Sequence, residues 1–144
     1  MLKNIPPILG PDLLGILRAM GHGDEIAIVD ANYPADSAGP ALIRLDGISA
    51  TDVLDAVLTL MPLDDFVEEA AICMQVVGNA GKREPVMDQM ESIVRRHEPS
   101  MTLASMERFA FYERVSRGYA IVQTGERRLY GNILLKKGVI RPDA

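Results

Sequence analysis

Met20-Gly21-His22-Gly23-Asp24-Glu25-Ile26-Ala27-Ile28-Val29-Asp30 is the stretch from which the fold can be read. It sets a histidine between two glycines, runs into four consecutive apolar residues and closes on a carboxylate. Ala31-Asn32-Tyr33-Pro34 follows. A short apolar run without alternation reads as a strand buried on both faces, the kind found in sheets covered by helices. A polar loop at the C-terminal end of such a strand is where α/β folds place ligands. Glycine on each side of His22 permits positive φ and lets a ligand come close to the backbone. The same residues also admit a plainer reading, in which Gly21 ends a helix and His22 is a solvated loop residue.

Working outward, Gly10-Pro11-Asp12 upstream reads as a helix start, with proline suited to the first helical position and the carboxylate to the positive end of the dipole. Leu13, Leu14, Ile16, Leu17 and Met20 then recur at helical spacing until Gly21. Downstream, residues 31–41 form a loop, and Ile43 and Leu45 flank Arg44 in a brief alternating strand. Ser49 and Asp52 resemble a capping box with Asp in place of Glu. Val53, Leu54, Val57, Leu58 and Met61 mark an amphipathic helix that Pro62 ends.

Residues 71–77 read as a second buried strand, and Glu84-Pro85 opens a helix carrying Val86, Met90, Ile93 and Val94. That helix closes on Arg95, Arg96 and His97, three cations suited to its negative end, with His97 structural. Ser105 is expected to cap a further helix across residues 107–114. Residues 119–124 read as a strand, Gly125-Glu126-Arg127 as a turn, and Ile133-Leu134-Leu135 as a last strand ending at Lys136-Lys137-Gly138. Strands alternating with helices over 144 residues imply one α/β domain, its largely parallel sheet flanked by helices.

Composition narrows the function. Apolar residues make up 48% and charged residues 24%, with a net charge of −5, so no basic stripe is available for phosphate backbones and nucleic acid is excluded as a partner. No apolar run approaches the ~20 residues of a membrane span, and the N-terminus carries no secretory pattern, so a cytoplasmic protein is expected. The single cysteine, Cys73, lies within Ala70-Ala71-Ile72-Cys73-Met74 and reads as a small buried hydrophobe. Two histidines and one cysteine are poor material for a zinc site, and no metal is expected. Neither a phosphate-binding glycine loop nor a nucleophile elbow is present.

What remains is acid/base and hydrogen-bonding equipment: His22, Asp24, Asp30, Arg108, Tyr112, Tyr130 and Asn132. It suits a neutral, polyhydroxylated ligand, since carboxylate, amide and guanidinium groups address hydroxyls and tyrosines offer flat faces to a sugar ring. Arg108 and Tyr112 are four residues apart and share one helix face. Arg108 could equally pair with Glu113 while Tyr112 packs in the core.

Five segments carry a family resemblance: residues 21–25, residues 30–34, Arg108-Phe109-Ala110-Phe111-Tyr112-Glu113-Arg114, Thr124-Gly125-Glu126-Arg127, and Tyr130 through Gly138. In that order, they resemble the L-fucose mutarotase branch of the fucose mutarotase/ribose pyranase family, with the likeness densest at the two ends of the chain. The resemblance implies that family's fold and a cofactor-independent exchange of sugar anomers. It further implies His22 as proton donor, with Asp30, Arg108 and the Tyr130-Gly131-Asn132 segment binding a monosaccharide; Tyr112, on the same helix face as Arg108, is expected beside them. Homo-oligomers, commonly decamers built from two pentamers with sites near subunit interfaces, are implied as well. The arginine-aromatic segment favours the fucose branch over ribose pyranase. Glu107, Tyr33 and Asp36 depart from the pattern, where Asn, Phe, and His or Ser are usual. Ring opening needs one proton given and one taken, and a histidine with a pKa near ~6.5 can do either near neutrality. A sugar-binding regulator without turnover and a structural component whose polar cluster is merely solvated are the other classes compatible with the residues.

Overall fold

The computed structural model describes residues 1–143. The elements run α1 (Pro11–Ala19), β1 (Glu25–Val29), β2 (Ala41–Leu45), α2 (Ala50–Leu60), β3 (Ala71–Met74), α3 (Pro85–His97), β4 (Ala104–Met106), α4 (Arg108–Ser116), β5 (Ala120–Thr124) and β6 (Ile133–Lys136). The six strands form one sheet in the order β2-β5-β1-β6-β3-β4. The opening stretch therefore lies at its centre: β1 pairs in parallel with β5, Ile26 opposite Ala120, and antiparallel with β6, Glu25 opposite Lys136.

Each face of the sheet collects alternate strand residues. Ile26, Ile28, Val122 and Leu135 join Leu13 of α1, Val53 and Val57 of α2, and Met90 and Val94 of α3 in one core. Ala27, Val29, Ile121 and Leu134 join Phe111 and Val115 of α4, with Tyr33 and Ala35 from the loop after β1, in the other. Helices on both sides explain why β1 carries no polar alternation.

The sheet is mostly parallel, as expected, with both antiparallel pairings made by β6, against β1 and β3. Only residues 125–132 separate β5 from β6, too few for the helical crossover that a parallel return requires. Two local expectations are corrected. Ser105 does not cap a helix: it lies in edge strand β4, opposite Cys73, and its hydroxyl accepts from Gln75 Nε2 at 3.2 Å. Glu107 caps α4 instead, its carboxylate accepting from the Ala110 amide at 3.0 Å. The strand expected over 71–77 stops at Met74, its last ladder bond to β4 running from the Gln75 amide to the Met106 carbonyl. Ser49 does cap α2, accepting from the Asp52 amide at 3.2 Å. Cys73 is a buried free thiol, and burial pushes its pKa up. No helix among the described residues is long and apolar enough to cross a membrane.

This topology gives the sheet two distinct ends. The C-terminal ends of β1, β3, β4 and β5 lie together, joined by the entering end of antiparallel β6. The start of β1 and the exit of β6 lie at the other end.

Candidate active site

Asp30 is the first residue beyond β1 and is buried. Its amide donates to Asn132 Oδ1 at 2.8 Å, and its Oδ1 accepts from the Asn32 amide at 3.0 Å. Burial pushes its carboxyl above the ordinary carboxylate range. Hydrogen bonds from the Asn32 amide, Asn132 and the Tyr33 amide offset this only in part, and the nearby carboxylate of Glu126 adds to the rise. The segment is pinned from β5: Thr124 Oγ1 donates to the Val29 carbonyl at 2.8 Å and the Ala31 amide donates to the Glu126 carbonyl at 2.9 Å.

Tyr130 is held at φ 66°, uncommon for a bulky residue, and its hydroxyl accepts from the Val77 amide at 3.1 Å. At Gly131 an added Cβ would stand 2.7 Å from Glu126 Cγ, so a side chain would push against the turn that seats Asp30. Asn132 follows, 3% exposed, its carbonyl oxygen already committed to Asp30.

The third contribution comes from α4. Arg108 is its first residue, with the guanidinium 4.4 Å above the Phe109 ring, and Tyr112 lies one turn on with its ring edge-on to Tyr33 at 5.2 Å. Neither Arg108 Nε nor the Tyr33 hydroxyl has a partner among the described residues, although both atoms are buried. Burial also raises the Tyr33 pKa, so the phenol stays neutral. Two buried polar atoms without partners in one cleft are hydrogen-bonding capacity for a ligand to fill.

Asp30, Arg108, Tyr112, Tyr130 and Asn132 thus line one cleft of about 150 Å³, with Asn32, Tyr33 and Met74 completing its wall. That is smaller than the roughly 300–1,000 Å³ of drug-sized ligand sites and suits a compact polar molecule.

His22 is not there. It precedes β1, whereas the cleft follows it, and the five residues of β1 at ~3.3 Å each put about 17 Å between the two ends. At its own end, His22 Nε2 lies 3.0 Å from Asp64 Oδ1, and its ring packs 5.1 Å from that of Phe66. The His22 side chain is 44% exposed and that of Asp64 only 4%. Burial alone would raise the Asp64 carboxyl, but hydrogen bonds from His22 and the Phe66 amide outweigh it and hold it below its ordinary value. The exit of β6 builds this seat: the Gly23 amide donates to the Lys137 carbonyl and the Asp64 amide to the Lys136 carbonyl. Gly138 lies so close to the 62–64 loop that a Cβ would come within 2.4 Å of the Leu63 carbonyl oxygen.

Asp64 and Glu126 escaped the sequence reading. Next to Asp65 and Arg127, both look like members of solvated charge runs, and only the register of β6 and the turn after β5 bury them. The second histidine, His97, hydrogen-bonds Asp55 at 2.7 Å across α2 and α3, the structural role expected of it.

Comparison with known proteins adds a second kind of observation. Residues 3–140 match the RbsD / FucU transport protein family. The chain is 48% identical to the fucose mutarotase of Homo sapiens over 145 residues, covering 96% of this chain and 94% of that protein. Among solved structures, it resembles the fucose mutarotase from Streptococcus pneumoniae in complex with L-fucose, at 44% identity and a TM-score of 0.89, over 97% of this chain and all of that one. Bacillus subtilis RbsD complexed with D-ribose superposes over 98% of this chain and all of its own, at a TM-score of 0.72. With 21% identity, that likeness concerns the fold alone.

Proposed function

The chain belongs to the RbsD / FucU transport protein family, and from that premise we propose that it is a fucose mutarotase, a cofactor-independent isomerase that interconverts the α and β anomers of L-fucose. The observation that carries the reading is the convergence of Asp30, Arg108, Tyr112, Tyr130 and Asn132, from three separate parts of the chain, on one small polar cleft with unmet hydrogen-bonding capacity.

In this reading the cleft holds the sugar. Arg108 presents its donor fork to neighbouring sugar oxygens, Asp30 accepts from hydroxyls, and the tyrosines pack against the ring's C–H groups. His22 gives a proton to the ring oxygen while the anomeric hydroxyl loses one, and the ring opens to the aldehyde. Rotation about the adjoining C–C bond and closure on the other carbonyl face complete the exchange and return both protons. General acid/base help of ~10²–10⁴ with positioning is enough for a reaction that also proceeds unaided.

One copy cannot bring His22 to its own cleft, so the reading requires a homo-oligomer in which His22 of one copy meets the cleft of the next. A ring of the decameric kind implied by the resemblance meets that requirement. A cytoplasmic location completes the proposal.

Magnetisation-exchange NMR on L-fucose, D-galactose and D-ribose is the test. Faster α/β pyranose exchange of L-fucose is expected. Acceleration confined to pyranose–furanose exchange of ribose would replace the reading with ribose pyranase. Binding without accelerated exchange would leave only a sugar-binding protein.

A further inference from the structure

The carboxylate behind His22 has no part in holding the sugar, yet it is among the most buried charges in the protein, 3% exposed at the end of a short loop. We propose that Asp64 is a positioning residue that fixes the tautomer of His22, so that Nδ1 is the nitrogen exchanging a proton with the sugar. This rests on the mutarotase reading above and deepens it.

Asp64 Oδ1 meets His22 Nε2 at 3.0 Å and also accepts from the Phe66 amide at 3.0 Å. An ionised carboxylate only accepts hydrogen bonds, so the ring nitrogen facing it carries the hydrogen in both protonation states of the imidazole. Nδ1 is then the site that gains and loses the exchangeable proton. During ring opening the Nδ1 proton passes to the ring oxygen while the Nε2 proton stays on the ring against Asp64. On reclosure the same Nδ1 takes the proton back, so the ring never has to turn over.

The seat is built to hold this geometry. The Asp64 amide is tied to the Lys136 carbonyl at 3.0 Å, and the loop bearing His22 is tied to the Lys137 backbone through the Gly23 amide and the Asp24 carbonyl and to its ammonium through the Met20 carbonyl. The Phe66 ring, 5.1 Å from the imidazole and tilted 52°, limits its swing. Without Asp64, a side chain 44% exposed on a glycine-flanked loop would sample both tautomers and several rotamers. Aspartate oriented on histidine performs this service in hydrolytic triads, where the matching amide substitution leaves the geometry but favours the wrong tautomer.

Long-range ¹H–¹⁵N spectra of the intact protein, with His22 resonances assigned from a His22→Gln sample, read the tautomer without any substrate. Neutral His22 is expected to be protonated at Nε2. Asp64→Asn should shift the population toward the Nδ1-protonated form, lower kcat for L-fucose exchange at least tenfold and leave KM within about threefold. In a His22→Gln background, Asp64→Asn should cost nothing further, because Asp64 acts through that ring. A wild-type His22 protonated mainly at Nδ1 would overturn the proposal. So would an Asp64→Asn variant with wild-type kcat, or a full additional loss in the double variant. Failure of the wild type to accelerate fucose exchange would instead strike the mutarotase reading, while the tautomer spectrum still decides the role of Asp64.

Discussion

In the proposed site Asp30 combines two demands that oppose each other: it is to offer a carboxylate to the sugar, and yet it sits buried beside Asn132 and the turn after β5. Its folded-state pKa is raised from 3.8. The stability linked to it is therefore full below the ordinary value and is lost as pH rises through the raised one. Asp30→Asn should melt above wild type at neutral pH, by about 2–4 °C for each kcal/mol recovered, and the gap should close as pH falls toward 4. Thermal melts across that range check the sign, and the same variant should bind sugar more weakly. For Arg108→Ala we expect KM to rise about ten- to a hundredfold with kcat changed little, the cost of ionic hydrogen bonds made equally in ground and transition states. A fall in kcat at constant KM would give Arg108 a part in the chemistry. Asp30, Arg108 and Asn132 were legible in the sequence as hydrogen-bonding residues, and their joint place in one site came from the family resemblance rather than from local pattern. The unpaired Tyr33 hydroxyl and the buried Asp64 were not legible, since local sequence does not encode which polar atoms go without a partner.

Among the elements, β6 carries both halves of the account. Its entry presents Tyr130 and Asn132 to the cleft, with Gly131 between them outside the lining, and its exit seats the His22 loop and Asp64. The two glycines flanking it should separate these roles. Gly138→Ala drives a Cβ into the Leu63 carbonyl, so it should displace the Asp64 loop, abolish most exchange activity and leave sugar affinity near wild type. Gly131→Ala brings a Cβ 2.7 Å from Cγ of the buried Glu126 in the turn that seats Asp30, and should instead weaken sugar binding. Isothermal titration beside exchange rates distinguishes the two. Elsewhere, Arg114 of α4 is forked onto Glu25 at 2.6 and 3.2 Å, clamping the cleft-bearing helix to the start of β1. Arg114→Ala should cost about 1.5–3 kcal/mol in urea unfolding, the value of charged hydrogen bonds with the partner left largely buried. The helices and most strands followed from periodicity. The direction of β6 and the identity of β4 did not, because a three-residue edge strand has no period to read and strand direction is set by the connection.

At the scale of the whole molecule, the chain carries the polar cleft and His22 at opposite ends of its central strand, the two parts to which the proposal gives sugar binding and proton donation. A strand rich in apolar residues reveals in sequence that it is buried, and not which copy of the protein it faces at its tips, so the separation became visible only once β1 was in place. The central claim is that a working site forms from the His22 end of one copy and the cleft end of another. Mixing His22→Ala subunits with Asn132→Ala subunits, each inactive alone, and allowing them to exchange tests it most directly, with fucose anomer exchange followed by NMR. Random 1:1 assembly should restore activity at about a quarter of the sites, those joining an intact His22 to an intact cleft. No recovery after proven subunit exchange, or full activity in a wild-type monomer, would contradict the claim.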